Sequence, residues 1–165
     1  MSQLHTFTFN AFQEQTYLLE HGDGQATVFD PGMSSADERE QFKRHCEKLE
    51  VKIVQCLLTH AHLDHVMGVS WVFDNWGVLP RLHASDNLTW DQAPKAAELY
   101  GVPMDALPSR GLDLESGGSL IECGMHRLEV RFAPGHSLGH GIFINDKQGW
   151  VIGGDVLFKG SVGRT

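Results

Sequence analysis

The stretch Thr59-His60-Ala61-His62-Leu63-Asp64-His65 crowds three imidazoles and a carboxylate together directly behind an apolar run at residues 51–58. Side chains two apart in an extended segment point the same way. His60 and His62 therefore present two imidazoles to one metal ion at the end of a strand, and Asp64 and His65 become available to a second. Imidazole suits zinc, iron and copper, and a carboxylate among the imidazoles leaves zinc, iron and manganese open. In a chain of this composition the pattern H-x-H-x-D-H arises by chance in about two cases in a thousand. The competing reading is a polar loop whose histidines cap a helix and bond backbone, but four such groups crowded together each need a partner once buried.

Two further segments put chemistry-bearing residues just after strands. Pro134-Gly135-His136 offers a third imidazole for the ion of His60 and His62. His140, four residues on, competes for that role, and His136 is preferred because it directly follows the strand end and its Pro-Gly turn. Gly153-Gly154-Asp155 then places a carboxylate where one group could bridge two ions. Alone, Asp155 would read as a turn residue.

The elements that must position these groups follow from periodicity. Residues 4–9, 16–20 and 26–29 read as strands, with His21-Gly22-Asp23-Gly24 as a hairpin turn and Asp30-Pro31-Gly32 ending the third. Ser35-Ala36-Asp37-Glu38 is a capping box opening a helix whose apolar side is Phe42, Cys46 and Leu49. Residues 51–58 form the strand that delivers the histidine cluster, and residues 66–76 a helix stopped by Gly77, with Trp71 and Trp76 packed inward. A short strand is expected at 79–84, then helical segments at 86–100 interrupted at Pro94 and closed by Gly101. Strands at 119–122, 126–133, 141–144 and 150–153 complete the pattern. Strands first, helices in the middle and strands last predict two packed sheets with helices outside, an α+β class.

Composition narrows the partners. A formal charge of −8, from 13 basic against 21 acidic residues, argues against nucleic acid and for a small-molecule substrate. No apolar window is long enough to span a membrane, and the first residues lack a basic start followed by an apolar stretch, so a cytoplasmic location is expected. Cys46, Cys56 and Cys123 are scattered and unpaired in spacing, which fits reduced thiols. Oligomeric state is not readable.

His60-x-His62-x-Asp64-His65, then Pro134-Gly135-His136, then Gly154-Asp155 together resemble the metallo-β-lactamase superfamily of metallohydrolases. Phe29-Asp30-Pro31-Gly32 is similar to that family's Asp-Pro-Gly turn, and Gly154-Asp155-Val156-Leu157-Phe158 with Gly163-Arg164-Thr165 to its glyoxalase II-like branch. The resemblance implies an αββα sandwich with the site at one edge of the sheets. It further implies one metal site of His60, His62 and His136, and a second of Asp64, His65 and a bridging Asp155. Asp30 would hold a ligand imidazole's N–H. The family's second site takes another histidine near the C-terminus, and none follows His140. Residues 1–165 are therefore expected to form one such domain lacking its last portion.

The activity implied is hydrolysis of a small thioester such as S-lactoylglutathione by a metal-activated hydroxide, with zinc in two sites and iron or manganese as alternatives. Asp64 would orient the water or accept its proton. A rival within the superfamily is a mononuclear iron persulfide dioxygenase using His60, His136 and Asp155. Outside enzymology, the chain could bind metal without turnover.

Overall fold

The computed structural model describes residues 3–115 and 118–165, so Met1 and Ser2, part of the stretch read for a leader, lie outside the described residues. Strands β1 (Leu4–Phe9), β2 (Glu14–Glu20) and β3 (Gln25–Phe29) form an antiparallel meander. Helix α1 (Ala36–Lys48) then crosses over to β4 (Lys52–Leu57), which runs parallel to β3, and β5 (Pro80–Arg81) pairs parallel to β4. These five make one sheet in the order β1-β2-β3-β4-β5. The second sheet, β6-β7-β8-β9, is antiparallel throughout: β6 (Ser119–Cys123), β7 (His126–Phe132), β8 (Gly141–Asn145) and β9 (Trp150–Ile152). A small hairpin of β10 (Leu157–Phe158) and β11 (Ser161–Val162) follows and has no counterpart in the sequence reading.

Alternation explains the layering. In β3 and β4, Phe29 and Leu57 face the second sheet, where they meet Leu128, Val130, Phe143 and Ile152, with Phe29 and Phe143 edge to face at 5.1 Å. Ala26, Val28, Ile53 and Cys56 face the other way onto Phe42 and Cys46 of α1. A sheet covered on both faces carries the near-continuous apolar runs that β3 and β4 show. On the outer face of the second sheet Leu120 and Val151 remain half exposed.

Two helical expectations are corrected. The helix expected at 66–76 is two, α2 (Leu63–Val66) and α3 (Val69–Trp76). They are separated at Gly68, whose N–H donates to the Pro31 carbonyl at 2.7 Å and where an added Cβ would lie 2.8 Å from that oxygen. The helix α4 (Asn87–Tyr100) runs uninterrupted through Pro94, because Trp90, Ala93 and Ala97 bury one face on both sides of it. Gly101 closes α4 in the left-handed conformation, as its position implies. Trp71 and Trp76 pack against the core beside Phe42, edge to face. No helix among the described residues is long and apolar enough to cross a membrane.

Candidate metal centre

β4 ends at Leu57, and the next residues leave the sheet at its C-terminal edge. Asp30, just past β3 and left-handed at φ 46°, fixes that exit: its Oδ1 accepts the Thr59 N–H and its Oδ2 the Thr59 hydroxyl, both at 2.7 Å. The Thr59 proton is thus committed to Asp30, so Thr59 Oγ1 accepts from His60 Nδ1, 3.0 Å away. That tautomer leaves the lone pair on His60 Nε2. This atom is buried and has no hydrogen-bond partner.

His62 is the residue before α2, yet its side chain makes no capping bond, which removes the reading of the cluster as helix caps. Its Nδ1 lies 2.8 Å from His136 Nε2 instead. His136 Nδ1 donates to the Arg164 carbonyl at 3.0 Å, so its Nε2 also presents a lone pair. Nitrogens of His60, His62 and His136 all lie within 4.8 Å of one another. His140 is elsewhere: its Nε2 accepts the Asp155 N–H at 3.1 Å while its ring stacks on His60 at 4.5 Å.

Asp155 stands between the imidazoles, with Oδ1 3.3 Å from His65 Nε2 and Oδ2 3.3 Å from His136 Nε2. Asp64 Oδ2 approaches His65 Nε2 to 3.5 Å, and His60, His65 and Asp155 make a second group with donor atoms within 4.8 Å. On its other side His65 Nδ1 faces Asp30 Oδ2 at 3.2 Å and Glu14 Oε1 at 3.8 Å.

Protonation follows surroundings. Burial, reinforced by the neighbouring imidazoles, holds the His60 pKa well below the ordinary histidine value and lowers that of His62. Burial also disfavours charge on His65, but Asp30, Asp155 and Glu14 outweigh it and hold its pKa well above the usual value. Burial raises the Asp155 carboxyl, yet His65 and His136 more than offset this and leave it low.

All six residues singled out by spacing therefore meet at one edge of the two sheets. Two buried acids that spacing did not single out join them. Glu14, driven well above the ordinary carboxyl pKa by burial, accepts the Thr16 hydroxyl at 2.9 Å, while its Oε1, facing His65, has no hydrogen-bond partner. Its signal was the alternation of β2, which runs back from Leu18 through Thr16 to Glu14 on the buried face. Asp86, fully buried, bonds the loops on either side of the imidazoles, and nothing local in the sequence marks it.

The buried, unpartnered Nε2 of His60, converging with the imidazoles of His62, His136 and His65 and the carboxylates of Asp64 and Asp155, belongs to the donor set of a hard-to-borderline divalent ion, and the residues present fit one. Comparison with known proteins agrees with that chemistry. Residues 9–165 match the Metallo-beta-lactamase superfamily. The chain is 33% identical over 158 residues to hydroxyacylglutathione hydrolase GloC of Haemophilus influenzae, covering 94% of this chain and 72% of that protein. Among solved structures, TTHA1623 in a di-iron-bound form superposes with a TM-score of 0.84 at 34% identity, covering 97% of this chain and 76% of the other. The BLEG-1 B3 metallo-beta-lactamase gives 0.85 at 28% identity, covering 99% and 77%. With its fold, its loop chemistry and a family match over nearly its whole length, the chain belongs to the metallo-beta-lactamase superfamily.

Proposed function

We propose that residues 1–165 act as one metal-dependent hydrolase domain that cleaves a small thioester such as S-lactoylglutathione, with two metal ions, zinc first and iron or manganese as alternatives. The observation that carries this reading is the unpartnered, buried Nε2 of His60 facing His62, His136, His65 and Asp155. His60, His62 and His136 would hold one ion, and Asp64, His65 and Asp155 the other, with one Asp155 oxygen facing each histidine group. When bound, such a pair supplies Lewis acidity, making a water nucleophilic at neutral pH and polarising a carbonyl. The likeness to a hydroxyacylglutathione hydrolase supports the thioester, and the di-iron form of a relative keeps iron in play.

The protein's own groups do the rest. Asp30 and Thr59 fix the His60 tautomer, and the Arg164 carbonyl fixes that of His136. Asp64, partly exposed, lines a cleft of about 380 Å³ together with Phe12, His62, Tyr100 and His136. Its carboxylate orients the attacking water and accepts its proton. The leaving group needs no general acid, since a thiol of pKa about 8.5 departs readily as thiolate. The three cysteines, all free and buried, fit the reducing cytoplasm.

The test is turnover of S-lactoylglutathione by protein of measured metal content, beside Asp64→Asn. Two metal ions per chain, with activity reduced about 10²–10⁴-fold in the variant, are expected. Stoichiometric metal without thioester turnover, or oxygen uptake on glutathione persulfide by a one-iron form, would overturn the assignment.

A further inference from the structure

Asp86 stands where a helix N-cap stands, directly before α4, yet its side chain makes no capping bond. Both oxygens are spent elsewhere. Oδ2 accepts the N–H of Ala61, the residue between His60 and His62, at 2.7 Å. Oδ1 accepts the N–H of Gly139 at 2.7 Å and the hydroxyl of Ser137, the residue after His136. The carboxylate is fully buried, and the Gly139 backbone is pressed so closely on it that an added Cβ would lie 2.5 Å from Asp86 Cβ. Its own N–H is held by the His83 carbonyl at 2.9 Å.

We propose that Asp86 is a positioning residue for the first metal set, fastening the His60/His62 loop of one sheet to the His136 loop of the other. Each loop leaves a different sheet, and His62 Nδ1 and His136 Nε2 lie only 2.8 Å apart. Gly141 N–H also donates to the Thr59 carbonyl at 2.7 Å, but among the described residues only Asp86 holds the chain next to the histidines themselves, at Ala61 between His60 and His62 and at Ser137 beside His136. Three donors converge on it, and only a group with two acceptor oxygens satisfies them. An asparagine would turn its amide N–H₂ against either the Ala61 N–H or the Gly139 N–H and release one loop. Neither Ala61 nor Gly139 offers a side chain that could replace the bond.

This rests on the metal-site reading, and the experiment separates the two. Zinc affinity is measured by chelator competition, and the visible absorption of the cobalt-loaded protein is recorded, for wild type, Asp86→Asn and Ser137→Ala. The thermal midpoint of each metal-free form controls for stability. Loss of a group that orients metal ligands costs about 10–100-fold in affinity. Asp86→Asn should show that loss with an altered cobalt spectrum, and Ser137→Ala, which removes one of three bonds, a loss of about 2–10-fold, the worth of one hydrogen bond. Unchanged affinity and spectrum in the folded variants, even with lowered midpoints, would make Asp86 merely structural and overturn the proposal. Should Asp86→Asn not fold, Ser137→Ala decides by the same two readouts. A wild type that binds no zinc overturns the metal-site reading and this proposal with it, whereas metal binding without thioester turnover overturns only the assigned reaction.

Discussion

Gly154, immediately before Asp155, is left-handed at φ 48°, and a Cβ there would collide with Thr59 Oγ1 and lie 2.8 Å from His140 Nε2. Only glycine lets the chain pass between the residue that fixes the His60 tautomer and the residue that holds the Asp155 N–H. Gly149 has a similar backbone, φ 71°, but open space around it. Gly149→Ala should therefore cost only backbone strain, about 1 kcal/mol, while Gly154→Ala should cost about 2–4 kcal/mol and lower metal stoichiometry. Equal denaturation midpoints for the two would show that contact plays no part. At this scale the sequence was legible where spacing alone brings side chains together, as for His60 and His62. It was not legible for Asp86, because an aspartate before a helix looks like a cap whichever way its carboxylate turns.

The elements owe their ends to local chemistry, and there the sequence reads well. The capping box expected from Ser35 to Glu38 is present, but the structure gives Glu38 more to do. Its Oε1 accepts the Asn10 N–H at 2.6 Å, and its Oε2 accepts N–H groups of Ser34 and Ser35 at 2.8 and 2.9 Å. Asn10 in turn donates to the carbonyls of Gly32 and Asp64, each at 3.0 Å, so α1 braces the loop of the candidate metal residues through Glu38 and Asn10. Burial raises the Glu38 pKa, but these bonds more than offset it and leave it below the ordinary 4.5. A depressed carboxyl binds fewer protons folded than unfolded, so its stabilisation is present above about pH 4.5 and is lost as pH falls through the folded value. Glu38→Gln should cost about 1.5–3 kcal/mol at pH 7, with the gap to wild type closing towards pH 3 in denaturant titrations. A gap constant over that range would mean that the charge contributes nothing. What the sequence did not reveal is tertiary: the break at Gly68 comes from the Pro31 carbonyl, and the continuity of α4 through Pro94 from its buried face.

At the scale of the molecule, the two sheets meet along an interface built on Phe29, Leu57, Leu128 and Phe143, and each delivers part of the site at its edge. His60 and His62 follow β4 of the first sheet, whereas His136 follows β7 and Asp155 follows β9 of the second. An ion held by His60, His62 and His136 would therefore cross-link the sheets, and its binding free energy would add to folding, since no such set exists in the unfolded chain. At zinc one hundred times its dissociation constant this linkage is worth about 2.7 kcal/mol, which for a chain of this size raises the thermal midpoint by about 5–10 °C. Excess chelator should reverse the rise. His136→Ala leaves the first sheet and its two histidines intact but removes the second sheet's imidazole, so its metal-free midpoint should stay near that of wild type while most of the zinc-induced rise disappears. If that variant gained as much from zinc as wild type does, the ion would be bound within one sheet and the cross-linking arrangement would be wrong.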